Sequence, residues 1–421
     1  MSFDLPKLPD GWEYQPLDQL SKPSSVTYGV VQPGAALSTG VPIIRVNNFR
    51  DGRIELADLM RIDPAIEGKY GRTRLKGGEV LLTLVGSVGQ VAVAPKTVSG
   101  FNVARAVAVI HPEDHVEPEW IALCLRSPLS QHLLGSRANT TVQTTINLKD
   151  LRALPIPLPP ASERREIASA MSALDDRITL LRETNATLEA IAQVLFKSWF
   201  VDFDPVRAKA EGRQPEGMDA ITAALFPDSF EESELGLVPK GWEIGELQDL
   251  LVLQRGFDLP ASERTEGAYP LIAASGPSGT HHIAMAKGPG VVTGRSGVLG
   301  KVFLTLEDYW PLNTTLWVKE FRRATSCYAF ELLKLLDFAS FNAGSAVPTL
   351  NRNHVHSLKY VLPPVELVES YEGTALSIHQ RVLENNRQAQ TLTQLRDTLL
   401  PRLISGQLRL PETETLLEKA L

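Results

Sequence analysis

Two stretches of the chain carry a narrow apolar seam with spacings that alternate between four and three residues. In the first, Ile167, Met171, Leu174, Ile178, Leu181, Asn185, Leu188, Ala192, Leu195 and Trp199 follow one another without a slip. In the second, Tyr371, Ala375, Ile378, Val382, Asn385, Ala389, Leu392, Arg396, Leu399 and Leu403 do the same. A sustained period of 3.5 residues marks helices that supercoil around a partner, whereas a helix lying on a globular core shows a broader stripe. The pattern predicts helices over 162–200 and 366–400, the first roughly 58 Å long at the α-helical rise per residue. Asn185 and Asn385 are polar seam residues, the kind that fix register at some cost in stability. Pro401 cannot donate an interior backbone bond, so the second helix should end or kink near it. Two helices packed separately on their own domains are the competing arrangement. The narrow seam favours mutual antiparallel pairing with approximate two-fold symmetry.

The segments before each helix alternate differently. Short β-rich runs, 79–86, 90–94 and 105–110, are separated by Gly, Pro and Asn turns, and 291–294, 301–306 and 314–318 match them. A helical pattern follows each set, over 118–127 and 328–338. The fold class is therefore α+β, with an α+β domain, a long helix, and then the same again.

The duplication is visible in the residues themselves. Pro9, Gly11, Trp12 and Glu13 return as Pro239, Gly241, Trp242 and Glu243; TLVGSVGQV (83–91) returns as GRSGVLGKV (294–302); and the double proline 159–160 returns at 363–364. The offset drifts from 230 through 211 to 204 and then holds through the helices. Insertions and deletions thus avoid the helical part, as expected when loops absorb change and helix length matters. The division that follows is a domain at 1–155, a helix at 156–204, a linker at 205–238 carrying Pro205, Gly212, Pro215, Gly217 and Pro227, a second domain at 239–360, a second helix at 361–410, and a tail at 411–421.

A chain of 421 residues that is 43% hydrophobic is globular and too long for one core. No run approaches the roughly 18 apolar residues of a membrane span, and the first residues lack the pattern of a secretory signal. The only cysteines are Cys124 and Cys327, too few for a disulfide scaffold or a four-cysteine zinc site. Cytoplasmic localisation is the expectation. The net charge of -7 looks wrong for a partner of nucleic acid. The excess acid, however, sits in 156–240 (9 basic against 15 acidic residues) and 361–421 (6 against 8), while 1–155 (16 against 15) and 241–360 (11 against 11) are balanced. Charge permits DNA binding without arguing for it.

A search for catalytic constellations finds little. GRSGVLG (294–300) is followed by β-rich sequence, so it reads as a hairpin rather than a cofactor loop. There is no nucleotide-binding GxxxxGK[ST] loop, and His281, His282, His354 and His356 lack metal-site spacing. Glu67-Gly68-Lys69, with Asp51, Asp58 and Asp63 upstream, could serve a Mg²⁺-dependent nuclease, but the second copy does not repeat it. What remains is recognition. Lys69, Arg72, Arg74 and Lys76 form a basic run suited to a phosphate backbone. Arg45, Asn47 and Asn48 are residue types that read guanine and adenine. Arg137, Gln143, Arg295, Lys301, Asn351 and Arg352 complete the candidate DNA-binding set.

Several stretches resemble the specificity subunits of Type I restriction-modification enzymes: LPIPLPP (154–160), LFKSWFVDFDPVRAK (195–209), SELGLVPKGWE (233–243) and LLPRLISGQL (399–408). Together with the repeat, the resemblance covers nearly the whole chain. It implies two target-recognition domains, each reading half of a bipartite, asymmetric DNA target, with the helix pair as ruler and docking surface. The implied partners are double-stranded DNA, two modification subunits that supply S-adenosylmethionine and methylate adenine, and restriction subunits that supply ATP- and Mg²⁺-dependent translocation and cleavage. The chain itself is then non-catalytic, with no metal or cofactor of its own. One departure is that Glu163-Arg164 and Glu366-Leu367 stand where the family usually carries Glu-Gln, which puts a helix-start contact in question. The alternatives are a recognition subunit of another restriction-modification type, a partner-free DNA-binding protein, and a structural coiled-coil adaptor, the last of which leaves the duplicated α+β domains unexplained.

Overall fold

The computed structural model describes residues 5–136, 145–338 and 349–409. It divides into two compact units, Met1–Leu180 with Gln388–Leu421, and Leu181–Arg387.

The first unit contains a four-stranded antiparallel sheet in the order Thr27–Tyr28, Val107–Ile110, Val80–Thr83, Val91–Val93. Beside it lies a three-stranded sheet, Met60–Ile62, Val41–Ile44, Asn102–Val103, whose last pair is parallel. The central strands are continuous apolar runs because they are buried on both faces. Helix Pro118–Arg126 covers one of those faces. Its fully buried Trp120 donates Nε1–H to the Pro157 carbonyl at 2.9 Å.

The second unit repeats this plan strand for strand. Leu251–Arg255, Thr315–Phe321, Gly290–Gly294 and Val302–Thr305 form the four-stranded sheet, and Gly276–His281, Tyr269–Ala273 and Trp310–Pro311 the three-stranded one, again ending in a parallel pair. Helix Ser326–Leu335 brings fully buried Tyr328 to the place of Trp120. Each unit is also entered and left through a two-stranded ribbon in the same register: Glu13 opposite Leu158, and Glu243 opposite Leu362. Gly11 and Gly241 turn the chain into these ribbons at φ +83° and +82°, a conformation that disfavours any side chain. About a third of the length difference lies between the three- and four-stranded sheets. There the first unit places the helical segment Pro64–Thr73, whereas the second crosses with 282–289 alone.

The long helices run Ala161–Phe200 and Val365–Ile404. In the first unit Ile167, Met171, Leu174 and Ile178 are buried, as are Leu392, Leu399 and Leu403. The Asp175–Arg396 pair (2.8 Å) and the Glu163–Arg409 pair fix the antiparallel sense. In the second unit Leu181, Asn185, Val382 and Asn385 are buried, and the Tyr371 hydroxyl donates to the Ala192 carbonyl at 3.2 Å. The same pairing thus occurs twice with the helices' roles exchanged. Among the described residues no helix is long and apolar enough to cross a membrane.

Two expectations need correction. Leu188, Leu195 and Ile378 are only partly buried, while Phe196 and His379 are buried in the seam's flank. A straight helix drifts against a 3.5-residue seam, and these segments also pack on an α+β domain, which broadens the buried stripe. The second helix ends at Ile404, three residues past Pro401. The proline forgoes the bond its position would make to the Asp397 carbonyl, and only one turn of helix follows it. The segment 205–238 is no open linker but holds helices Asp204–Ala210 and Ala220–Ala224 and the hairpin Phe230–Ser233/Gly236–Pro239. Trp199, Phe200 and Phe203 need apolar cover, and Val206 and Phe226 supply it.

Candidate nucleic-acid interface

In the first unit the loop between Val80–Thr83 and Val91–Val93 is held from below by Thr83. Its hydroxyl donates to the Ser87 carbonyl at 2.6 Å and accepts the Gln90 N–H at 2.9 Å. Next to this loop lies a groove of about 620 Å³, floored by Ala104 and Ala106 and walled by Arg45, Asn47, Ser87 and Gln90. Small floor residues leave room for a ligand edge. An arginine, an asparagine and a glutamine around them offer the donor and acceptor pairs that distinguish bases. Exposed Arg105 lies between the two floor alanines in sequence.

Arg45 and Asn47 line this groove, but Asn48 does not act there. It is buried, accepting the Arg45 N–H at 2.9 Å and donating to the Asp58 carbonyl at 3.2 Å, so the Val46–Asn48 turn consumes it. Lys69, Arg72 and Lys76 are exposed on and just after the Gly68–Thr73 turn. Arg74 departs from the expected basic run because its guanidinium grips buried Glu67, with Nε–H to Oε1 at 2.9 Å. Asn102 donates to the same carboxylate at 2.9 Å. The hydrogen bond from Arg74 holds the Glu67 carboxyl below the usual range, and Glu67 is thereby a structural anion. Arg137 and Gln143 lie outside the described residues.

The second unit presents the equivalent loop. The Arg295 N–H donates to the Thr314 carbonyl as the Leu84 N–H does to Ala106, and the bridge Ser296–Thr349 matches Val85–Thr145. The Thr293 hydroxyl donates to the Lys301 carbonyl at 3.0 Å, placing exposed Lys301 where the first unit carries Gln90. Arg295 is partly buried and Arg352 exposed. Asn351 is a helix cap, accepting the Asn353 N–H at 3.0 Å, just as Asn147 accepts that of Lys149 at 2.8 Å. Ser87, Gln90 and Arg105 were missed by the sequence reading. The 211-residue offset aligns Gln90 with Lys301 and could have found it.

The helix start in question is occupied by Arg164 itself. Its buried guanidinium donates to Glu117 Oε2 (2.9 Å) and to the carbonyls of Pro159 (2.9 Å) and His115 (2.7 Å). The flagged histidines include two that are internally engaged. His281 is buried against the Thr265 backbone, and the His356 Nε2 accepts the Leu253 N–H at 2.8 Å, with burial lowering its pKa and keeping it a neutral acceptor.

Residues 32–190 match the family model described as the Type I restriction modification DNA specificity domain. The chain is 32% identical over 169 residues to the EcoBI specificity subunit of Escherichia coli, a match spanning 40% of this chain but only 35% of that protein. It is 26% identical over 411 residues to the HindI specificity subunit of Haemophilus influenzae, covering 79% of this chain and 87% of that one. With the MjaIX specificity subunit of Methanocaldococcus jannaschii it shares 22% identity over 362 residues, covering 80% and 78%. The crystal structure of a Type I restriction-modification S subunit from M. genitalium shares the fold, with a TM-score of 0.61, 16% identity, and coverage of 94% of this chain and 97% of that one. The chain is thus similar to the DNA specificity domain of Type I restriction-modification enzymes over 32–190, and to two Type I specificity subunits along most of its length.

Proposed function

We propose that each α+β domain reads one half of a bipartite, asymmetric double-stranded DNA target. The paired helices set the separation of the half-sites and dock two modification subunits, with restriction subunits completing the complex. The observation that carries this reading is the duplicated loop: one strand plan, repeated, holds Gln90 in one unit and Lys301 in the other. Two recognition elements of the same build but different side chains suit two different half-sites. In this reading the chain is non-catalytic and cytoplasmic. S-adenosylmethionine, ATP and Mg²⁺ belong to the partner subunits.

The test is to co-express the chain with its modification subunits and map methylated adenines. Replacing residues 1–155 by another recognition domain should change one half-site only, and Gln90→Ala should relax that same half-site, since losing a base-edge contact costs about 1–3 kcal/mol. A swap that altered both half-sites would refute the division of labour. Half-site binding by a chain that never co-purifies with a modification subunit would favour a partner-free DNA-binding protein.

A further inference from the structure

The two units differ where the recognition domain meets the helix pair. In the first, Asp175 sits between two arginines, accepting from Arg396 Nη1 at 2.8 Å and from Arg126 Nη1 at 3.1 Å. The helix offset of 204 puts His379 in the place of Asp175. The fully buried aromatics Trp120 and Tyr328 align the shorter helices, so that Lys334 takes the place of Arg126. The ionic tie is therefore missing from the second unit. Lys334 turns instead to Glu331, at 3.0 Å.

In place of the tie there is a cleft of about 520 Å³ between the strand Val302–Thr305, helix Ser326–Leu335 and the second long helix. Phe303, Leu304, Phe330, Val382 and Leu383 give it apolar walls, and His379 lines it. His379 is 7% exposed, and its Nε2 is buried with no hydrogen-bond partner. The ionic groups at the margin are already committed, Lys334 to Glu331 and Glu307 to Arg387. The volume lies within the range of small-molecule sites, which are mostly apolar with a few fixed polar groups, and a buried imidazole nitrogen without a partner is costly unless something satisfies it.

We infer that this cleft is a binding site for an uncharged, ring-sized apolar molecule bearing one hydroxyl, which hydrogen-bonds the Nε2 of His379. A hydroxyl suits either tautomer because it both donates and accepts. A carboxylate ligand is disfavoured by the neighbouring Glu189 and Glu307. Burial holds His379 down at about 4, so the ring is neutral near pH 7 and calls for no counter-charge. No DNA contact enters the argument, and the site stands or falls apart from the recognition reading.

The experiment uses the full chain with phenol and toluene as probes, titrated by calorimetry and by the chemical shifts of ¹³C-labelled histidine. Phenol should bind saturably, move the His379 resonance, and bind roughly two- to tenfold more tightly than toluene, the ratio expected from one buried neutral hydrogen bond. In His379→Leu the preference should vanish. In Leu383→Trp, which fills the cleft from a second position, both probes should be excluded. Absence of saturable phenol binding, or an unchanged preference in His379→Leu, would overturn the assignment. So would full binding by a folded Leu383→Trp.

Discussion

Asn185 and Asn385 face each other inside the helix pair of the second unit, and their coupling can be worked out from the contacts. Asn385 Nδ2 donates to Asn185 Oδ1 at 2.8 Å, and Asn185 Nδ2 donates to Asn386 Oδ1 at 2.9 Å and to the Val382 carbonyl at 3.3 Å. Replacing Asn385 alone by leucine strands the Asn185 oxygen in a buried seam, which costs about 1–3 kcal/mol. Replacing Asn185 alone strands the Asn385 amide, whose Oδ1 already lacks a partner, at a similar or greater cost. Replacing both removes every stranded group and buries two leucines. By analogy with polar seam residues and buried polar pairs in other helix assemblies, the double variant should be neutral or more stable than wild type. The coupling energy should then reach about 3 kcal/mol, at the upper end for residues in contact. Native-state hydrogen exchange of amides in 371–387 reads this directly, because it reports local opening without assuming that the whole chain unfolds in one step. A double variant destabilised by the sum of the two singles would refute the reasoning and show that the asparagines act independently.

The remaining expectations follow from the other contacts. Asp175→Ala should destabilise the first unit by about 1.5–2 kcal/mol in exchange experiments, the lower end for charged hydrogen bonds because all three side chains keep some solvent access; Asp175→Asn should recover part of the loss. Below pH 6.5 the unfolded chain protonates His379 while the folded chain resists until about 4, so stability present at neutral pH should be lost as the pH falls through that window, by up to about 3 kcal/mol. His379→Leu should flatten that part of the pH profile, and an unchanged profile would place the titration elsewhere. Inserting one heptad into each long helix lengthens the pair by roughly 10 Å, and methylation mapping should then show the unread spacer longer by about three base pairs with both half-sites intact.

The helices were legible in the sequence because a 3.5-residue seam over ten positions has no other cheap explanation, and the duplication was legible because its glycine turns and double prolines are fixed by backbone geometry. The seam failed at Leu195 and Ile378 because periodicity alone does not say where a helix leaves its partner and begins to cover a domain. Much of the candidate interface was hidden for a different reason. Arg74 and Asn48 have the composition of DNA-contacting residues, yet Glu67 and the Asp58 carbonyl claim them, and such pairings depend on contacts that spacing does not encode. Gln90 carried no signal beyond its alignment with Lys301 in the repeat. It came into view only when Thr83 was seen to hold its loop in place.

The division of the chain into Leu181–Arg387 and a unit assembled from both ends bears on how the molecule is made. The inner unit is one continuous segment, so it can close while synthesis is still under way. The outer unit needs Leu392, Leu399 and Leu403 to cover Ile167 through Ile178, and these emerge from the ribosome more than two hundred residues later. The first recognition domain to be translated is therefore the last to be completed. Until then its half of the first long helix presents an uncovered apolar stripe, the kind of surface that invites aggregation or chaperone capture. Nascent chains that stop at about residue 388 should carry a finished second domain and an unfinished first one.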